Sequence, residues 1–376
     1  MSGTGVRHLY VHLPFCVHRC GYCDFVTAVG RREQHGSYVD AVLAELELER
    51  GVLAEPLETV YVGGGTPTFT EPRALSRLLS HLPAAGELTV EANPETVTPA
   101  LAALLAEHGV NRVSLGAQSF QLRLLAVLER RAGPDDVRRA VHTLRDAGFD
   151  NISLDLLYGI PGQSAADLEA DIEQALLVRP EHMSWYELEA KPGTRFTHRF
   201  GEELARQAEA MEGYFERVVV RVADAGYRWY ETANFARVLD LDGGRDVRSH
   251  HNLAYWQGRD YLGVGIGAVS TIRGVRWRNT PRLAAYVRTI AAGERPEREP
   301  EPLSDETVLR ERVMLGLRLD EPLSLAEVAG ALDPDALARL ERLELVETSA
   351  SSMRLTARGR RLGGGVTAEL LAYTDC

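Results

Sequence analysis

Six short apolar, β-branched runs fill the first half of this 376-residue chain, each followed by a stretch of helical periodicity. LYVHLPF begins at Leu9, TVYVGGG at Thr59, ELTVEANP at Glu87, RVSLGAQ at Arg112, NISLDLLYGIPG at Asn151 and HMSWYELE at His182. Between them, YVDAVLAELELER and DDVRRAVHTLRDAG carry apolar residues three and four apart, and glycine or proline closes most units. Strands separated by helices pair in parallel, so the fold class is α/β. A barrel of this kind puts its functional groups at the C-terminal ends of its strands. The polar and glycine-rich residues gather at those ends and should converge on one mouth.

The pattern changes past about residue 200. GYRWYETANFA, HHNLAYW and YLGVGIGAVSTI form a less repetitive region, and GERPEREPEPLS, dense in proline and charge, reads as a linker. Amphipathic helices and SMRLTARGRRL then suit a small helical or winged-helix-like module. The expected division is a core over 1–235, an extension over 236–292, a linker over 293–304 and a C-terminal module over 305–376. A hydrophobic content of 45% can bury a sizeable core. The net charge of −12 argues against a general nucleic-acid binder. Lys191 is the single lysine among mostly arginine cations, a compositional bias without functional meaning. No run reaches the length of a membrane span, and the N-terminus shows no secretory pattern, so membrane insertion is not expected and a cytoplasmic location is.

Three of the four cysteines, Cys16, Cys20 and Cys23, fall in CVHRCGYCDF; the fourth is Cys376. Such spacing is a poor disulfide framework and reads as a metal or cofactor site in a reducing compartment. Thiolates suit zinc or an iron–sulfur cluster. Zinc needs a fourth ligand, which His12 or His18 could supply. A [4Fe–4S] cluster usually takes four cysteines, so three leave one iron open to an exogenous group.

Cys16-x3-Cys20-x2-Cys23, directly after an N-terminal strand, resembles the signature of radical S-adenosylmethionine (SAM) proteins. LYVHLPFCVHRCGYCDF resembles the oxygen-independent coproporphyrinogen III oxidase family among them, over Leu9 to about Ser270 and more loosely beyond. That resemblance implies a partial (β/α)6 TIM-type barrel with the open iron of a [4Fe–4S] cluster bound to SAM. It implies SAM contacts for Tyr10, Tyr22, Gly64, Gly65, Thr66, Glu91, Gln118, Arg130 and Asp155, with Arg131 as an alternative to Arg130. Taken alone, GGGTPT would be a tight turn, and without a lysine it is no phosphate loop. GVGIGAVS mimics a dinucleotide fingerprint but lacks the acidic residue downstream; the resemblance instead places Val269 beside SAM.

Two features choose a branch. The porphyrinogen oxidases of the family carry a further cysteine where this chain has Phe25, and a longer N-terminal segment. His251-Asn252-x-x-Tyr255-Trp256 resembles the HemW branch, whose members are heme chaperones. A neutral imidazole is a common heme ligand, and Tyr255 and Trp256 could cover a macrocycle face. In a helix, His251 and Tyr255 would share a face; His250 is the alternative ligand. The expectation is a heme carrier, with no catalytic residue assigned, that passes heme to an acceptor protein such as a membrane-bound respiratory protein. A homodimer is compatible with it, and SAM cleavage is left open. The competing expectation is a radical enzyme acting on a porphyrinogen.

Overall fold

The computed structural model describes residues 5–189, 191, 195–238 and 245–371; Cys376 lies outside them. The six runs are six parallel strands in chain order: β1 (His8–Leu13), β2 (Leu57–Gly64), β3 (Ala85–Ala92), β4 (Arg112–Gln118), β5 (Ile152–Tyr158) and β6 (His182–Glu187). The sheet continues beyond β6 with an antiparallel pair, β7 (Tyr227–Glu231) and β8 (Asn234–Arg237). On its other edge β9 (Leu262–Val264) pairs in parallel with β1, so the region after residue 235 supplies part of the same sheet. It is a partial barrel of α/β type.

Helices α1 (His35–Glu49), α2 (Pro72–His81), α3 (Pro99–Glu107), α4 (Pro134–Asp146), α5 (Ala165–Val178) and α6 (Met211–Asp224) flank the sheet. Their starts are written locally. Pro72, Pro99 and Pro134 open their helices, where a missing N–H costs nothing. Glu71, Thr98 and Ser164 accept the free amides of their first turns.

The two faces of each strand differ sharply. Outward residues such as Val60, Val62, Leu88, Val90, Val113, Leu115, Leu154 and Met183 are buried in the core against the helices. Each contributes about 1.5–3 kcal/mol by burial. Inward residues are polar: His8, Tyr10 and His12 on β1, Thr59 and Tyr61 on β2, Glu87, Thr89 and Glu91 on β3. They continue as Arg112, Ser114 and Gln118 on β4, Ser153 and Asp155 on β5, and His182 and Ser184 on β6. The lumen of this barrel is therefore hydrophilic rather than packed with branched aliphatic side chains.

The stretch expected as a linker is corrected in part. Within 293–304, Arg298–Pro302 is a strand, β12, paired antiparallel with β11 (Val275–Asn279), which pairs with β10 (Val269–Ile272). Pro300 and Pro302 fit because β12 is an edge strand whose outer side needs no donor. The Arg298 guanidinium lies 4.8 Å from the Trp277 ring centroid. Charge and proline density marked exposure, and an exposed edge shares that composition.

Helix α7 (His250–Trp256) lies across the starts of the strands, and α8 (Asp305–Gly316) opens the C-terminal module. That module carries a three-stranded sheet (Leu323–Ser324, Ser352–Leu355, Val346–Thr348) with short helices, a winged-helix-like arrangement around its own core. It docks through arginines: Arg228 donates to both oxygens of Asp320 at 2.7 and 2.9 Å, and Arg318 reaches the buried Glu231 at 2.6 Å.

Candidate functional site

The cysteine loop leaves the C-terminal end of β1 and is tied down at its base. Phe15 and Cys16 pair in register with Ala28 and Val29. The glycine turn after β2 grips the same base, Gly65 N donating to Leu13 O (2.8 Å) and Thr66 N to Phe15 O (2.9 Å). The approach tolerates no side chain: a Cβ on Gly65 would sit 2.5 Å from Pro14 O, and Gly64 has φ +116 with the His12 ring 2.6 Å from any Cβ. GGGTPT is thus at least a clamp on the cysteine loop.

The three cysteines line the mouth of a cavity of about 470 Å³ that runs down into the lumen. Tyr22, Gly64, Gly65, Thr66, Glu91, Gln118, Arg130 and Asp155 line it as well. Arg130 borders it and Arg131 does not. The Arg130 guanidinium is held by Gly116 O (2.7 Å) and Asn93 Oδ1 (2.9 Å), with Nη1 3.9 Å from Cys20 Sγ. Asn93 also donates to Thr66 Oγ1 (3.1 Å), whose hydroxyl lies 3.7 Å from Cys16 Sγ. Burial pushes the Cys16 thiol up to about 11 and raises Cys23 too, so these thiols become thiolates by coordination rather than by free ionisation.

Glu91 receives the Tyr61 hydroxyl (2.8 Å) and Gly64 N (3.0 Å). Burial raises it to about 7, against those hydrogen bonds. Asp155 accepts from Ser114 Oγ at 3.0 and 3.2 Å and is likewise raised by burial. Gln118 stands at φ +64, at the head of a loop that the buried Asp171 organises. That carboxylate accepts from Ser119 Oγ (2.7 Å), Phe120 N (2.7 Å) and Gln121 Nε2 (3.1 Å), and burial lifts it to about 6.

The residues present suit a [4Fe–4S] cluster and SAM. Three thiols face one cavity beside donors from Thr66 and Arg130. Buried polar atoms without protein partners, Arg130 Nε and Glu95 Oε2, belong to residues of the same wall. When bound, the pair would place a redox-active cluster beside SAM. Of the histidines considered as zinc ligands, His12 has both ring nitrogens engaged, by Val26 O (2.8 Å) and Tyr10 (3.0 Å), whereas His18 Nε2 bonds Glu129 O (2.6 Å) and lies 3.9 Å from Cys20 Sγ. Among the described residues, no group of three or more His, Cys, Asp or Glu is arranged to hold a single metal ion.

Other expected residues fall elsewhere. Tyr10 lies outside the cavity wall, stacked on Tyr61 with centroids 6.2 Å apart. Val269 is on β10, also outside the wall. The HNLAYW segment is helical, but its residues diverge. His251 is 1% exposed, with Nδ1 2.8 Å from Thr59 Oγ1 and Nε2 2.8 Å from Tyr255 Oη. Burial lowers its pKa to about 3, so it is a neutral ring with both nitrogens engaged. Asn252 borders the lumen from below, and Trp256 packs under the Arg318 guanidinium at 4.3 Å. His250 is the outward neighbour, with its Nε2 3.3 Å from Asp246.

Sequence reasoning missed Asn93, Arg112, Ser114, Asp171 and Ser184. The signal was present for most of them. In a parallel strand covered on both faces, alternation such as Arg112–Ser114–Gly116–Gln118 is out of place unless one face lines a cavity. Asp171 had no such signal, because it reads as an ordinary helical acid in ADLEADIEQ.

Fold and site define a radical SAM protein, and comparison agrees. The model of the Radical SAM superfamily matches residues 10–175, and that of the HemN C-terminal domain matches 303–362. The solved coproporphyrinogen III oxidase (HemN) of Escherichia coli shares the fold with a TM-score of 0.80 at 21% identity, over 99% of this chain and 92% of that one. The heme chaperone HemW of Mycobacterium tuberculosis is 36% identical over 96% of this chain and 94% of its own length. That of Bacillus subtilis is 34% identical over 96% and 98%. The chain belongs to the HemW family. No helix among the described residues is long and apolar enough to cross a membrane.

Proposed function

We propose that this chain is a heme chaperone, which binds heme and passes it to an acceptor protein in the cytoplasm while carrying a SAM-bound [4Fe–4S] cluster at the barrel mouth. The observation that carries the reading is its likeness, along nearly the whole chain, to relatives named heme chaperones. Cys16, Cys20 and Cys23 would hold three irons, and Gly64, Gly65, Thr66, Glu91, Gln118, Arg130 and Asp155, with Tyr22, would surround SAM. Phe25, 60% exposed on the cavity rim, leaves that position without the extra thiol of the oxidase relatives.

For the iron of heme, the ligand comes from the His250–His251 pair. Exposure favours His250. His251 would first have to give up Thr59 and Tyr255 and draw α7 away from the strands. An acceptor among membrane-bound respiratory proteins, and a homodimer, stay within this proposal. Anaerobic titration of the cluster-loaded protein with heme tests it. A Soret band that saturates and weakens in His250→Ala supports the reading. No spectral change on adding heme sinks it. Turnover of coproporphyrinogen III with release of 5′-deoxyadenosine would replace it with the enzyme reading.

A further inference from the structure

Below the residues assigned to the cluster and SAM, the cavity continues to the lumen floor, where Arg112 stands. Arg112 opens β4 in register with Thr89 of β3 and is 1% exposed. It borders the cavity, and its Nε and Nη1 are buried without a protein partner. Among the described residues, no ion pair of 4.0 Å or shorter involves it. Asp155 and Glu91 feel the Arg112 charge, but the acids nearby hydrogen-bond to other donors. Asp155 is held by Ser114, Glu91 by Tyr61 and Gly64, and Glu87 caps α7 through the amides of His250 (3.0 Å) and His251 (3.1 Å). The imidazoles at this level do not compete with the cation, since burial lowers the pKa of both His182 and His251.

A buried guanidinium whose N–H donors are left unpaired costs about 1–3 kcal/mol per donor, and more because the group is charged. It is tolerated where an anion completes it, and Arg donors bind oxyanions with strong charge-assisted bonds. We propose that Arg112 is the anchor of a carboxylate-binding site at the barrel floor, with Ser184 and Asn252 as neutral partners lining the same space. A single guanidinium, beside Asp155 and Glu91 that burial favours as neutral acids, suits a monoanion. A phosphate dianion would drive Asp155 and Glu91 on the same wall against its second charge, whereas a carboxylate asks for one positive charge and a few hydroxyl or amide donors. The carboxylate belongs either to a small free acid or to a side chain of a larger ligand, such as a porphyrin propionate, reaching in from the mouth.

The test measures binding of sodium propionate to the cluster-loaded protein by ligand-observed NMR, with propionamide and inorganic phosphate alongside. Propionate should bind at least about tenfold more tightly than propionamide, and Arg112→Met should lose that preference. Ser184→Ala, which keeps the cation, should weaken propionate severalfold and serves if Arg112→Met does not fold. Hemin and hemin dimethyl ester identify the source. A preference for hemin that vanishes in Arg112→Met assigns a porphyrin propionate, and equal binding of the two with propionate still held assigns a free acid. Propionamide binding as well as propionate, or phosphate binding better, overturns the proposal. The propionate arm stands even if the chain binds no heme, so the two readings fail separately.

Discussion

The two motifs that stand out in this chain occupy opposite ends of one barrel. CVHRCGYCDF lies beyond the C-terminal end of β1, with its cysteines bordering an open cavity. HNLAYW lies across the strand starts, where His251 meets Thr59 near the beginning of β2 and the helix N-terminus meets Glu87 of β3. The first motif presents its functional atoms to a ligand, and the second turns most of them into the protein. Spacing tells which side chains share a face; it does not tell which way that face points.

The largest effects should come from the mouth. Replacing Cys20 with serine should reduce bound iron and sulfide, measured chemically after anaerobic reconstitution, to background, while the apo-protein stays folded by circular dichroism. An intact cluster in that variant would break the assignment of the mouth.

At the floor, His251→Ala removes a buried ring and both of its hydrogen bonds, leaving Thr59 and Tyr255 to repartner. Denaturant unfolding should show a loss of about 3 kcal/mol. His250→Ala, on the surface, should change stability by less than about 0.5 kcal/mol while weakening heme binding. The reverse pattern would mean that α7 opens readily and that the contrast between mouth and floor holds for one state alone.

Glu45 of α1 ties that helix to the residues after β9 and to the end of β11. It accepts from Gly265 N (2.8 Å), Asn279 Nδ2 (2.6 Å) and the Tyr286 hydroxyl (2.6 Å), and burial raises it to about 7. The folded chain therefore holds a proton that the unfolded chain releases near its ordinary value of 4.5. This stabilisation is full below that value and is lost as pH rises towards 7, by on the order of 3 kcal/mol. Glu45→Gln should flatten that part of the pH–stability curve; Asn279 Oδ1, buried without a partner, can accept from the new amide after a side-chain flip that gives up the Asn279 Nδ2 bond to Gly265 O (3.1 Å). A slope unchanged in the variant would show that another group carries it.

Asp171→Asn should loosen the loop after Gln118 and weaken SAM binding about fivefold by calorimetry, an effect of about 1 kcal/mol. Stability should fall while the cluster stays intact; unchanged SAM affinity would detach Gln118 from the cradle. Phe25→Ala, the smallest change, should leave stability within about 0.5 kcal/mol.

Much of this molecule was legible in order along the chain. The alternation of strand and helix, the proline and Ser/Thr helix starts, and the three cysteines are local features, set by residues a few positions apart. They led to the α/β barrel and the position of the cluster loop. Arg298–Pro302 misled because an edge strand and a linker share their composition. The polar alternation of β4 was visible as well, but its meaning depended on what the strand faces.

The sequence by itself determined which elements form and which thiols act together, because backbone propensity and close spacing act over one turn or one loop. Tertiary structure decided the rest. Closing the sheet turned Arg112, Ser114, Asp155 and Ser184 into one wall, and docking α7 on the strand starts buried His251 while leaving His250 outside. Those outcomes depend on contacts between residues up to 192 positions apart, as between Thr59 and His251. No local pattern encodes them; they follow from the burial and hydrogen bonding of the whole barrel.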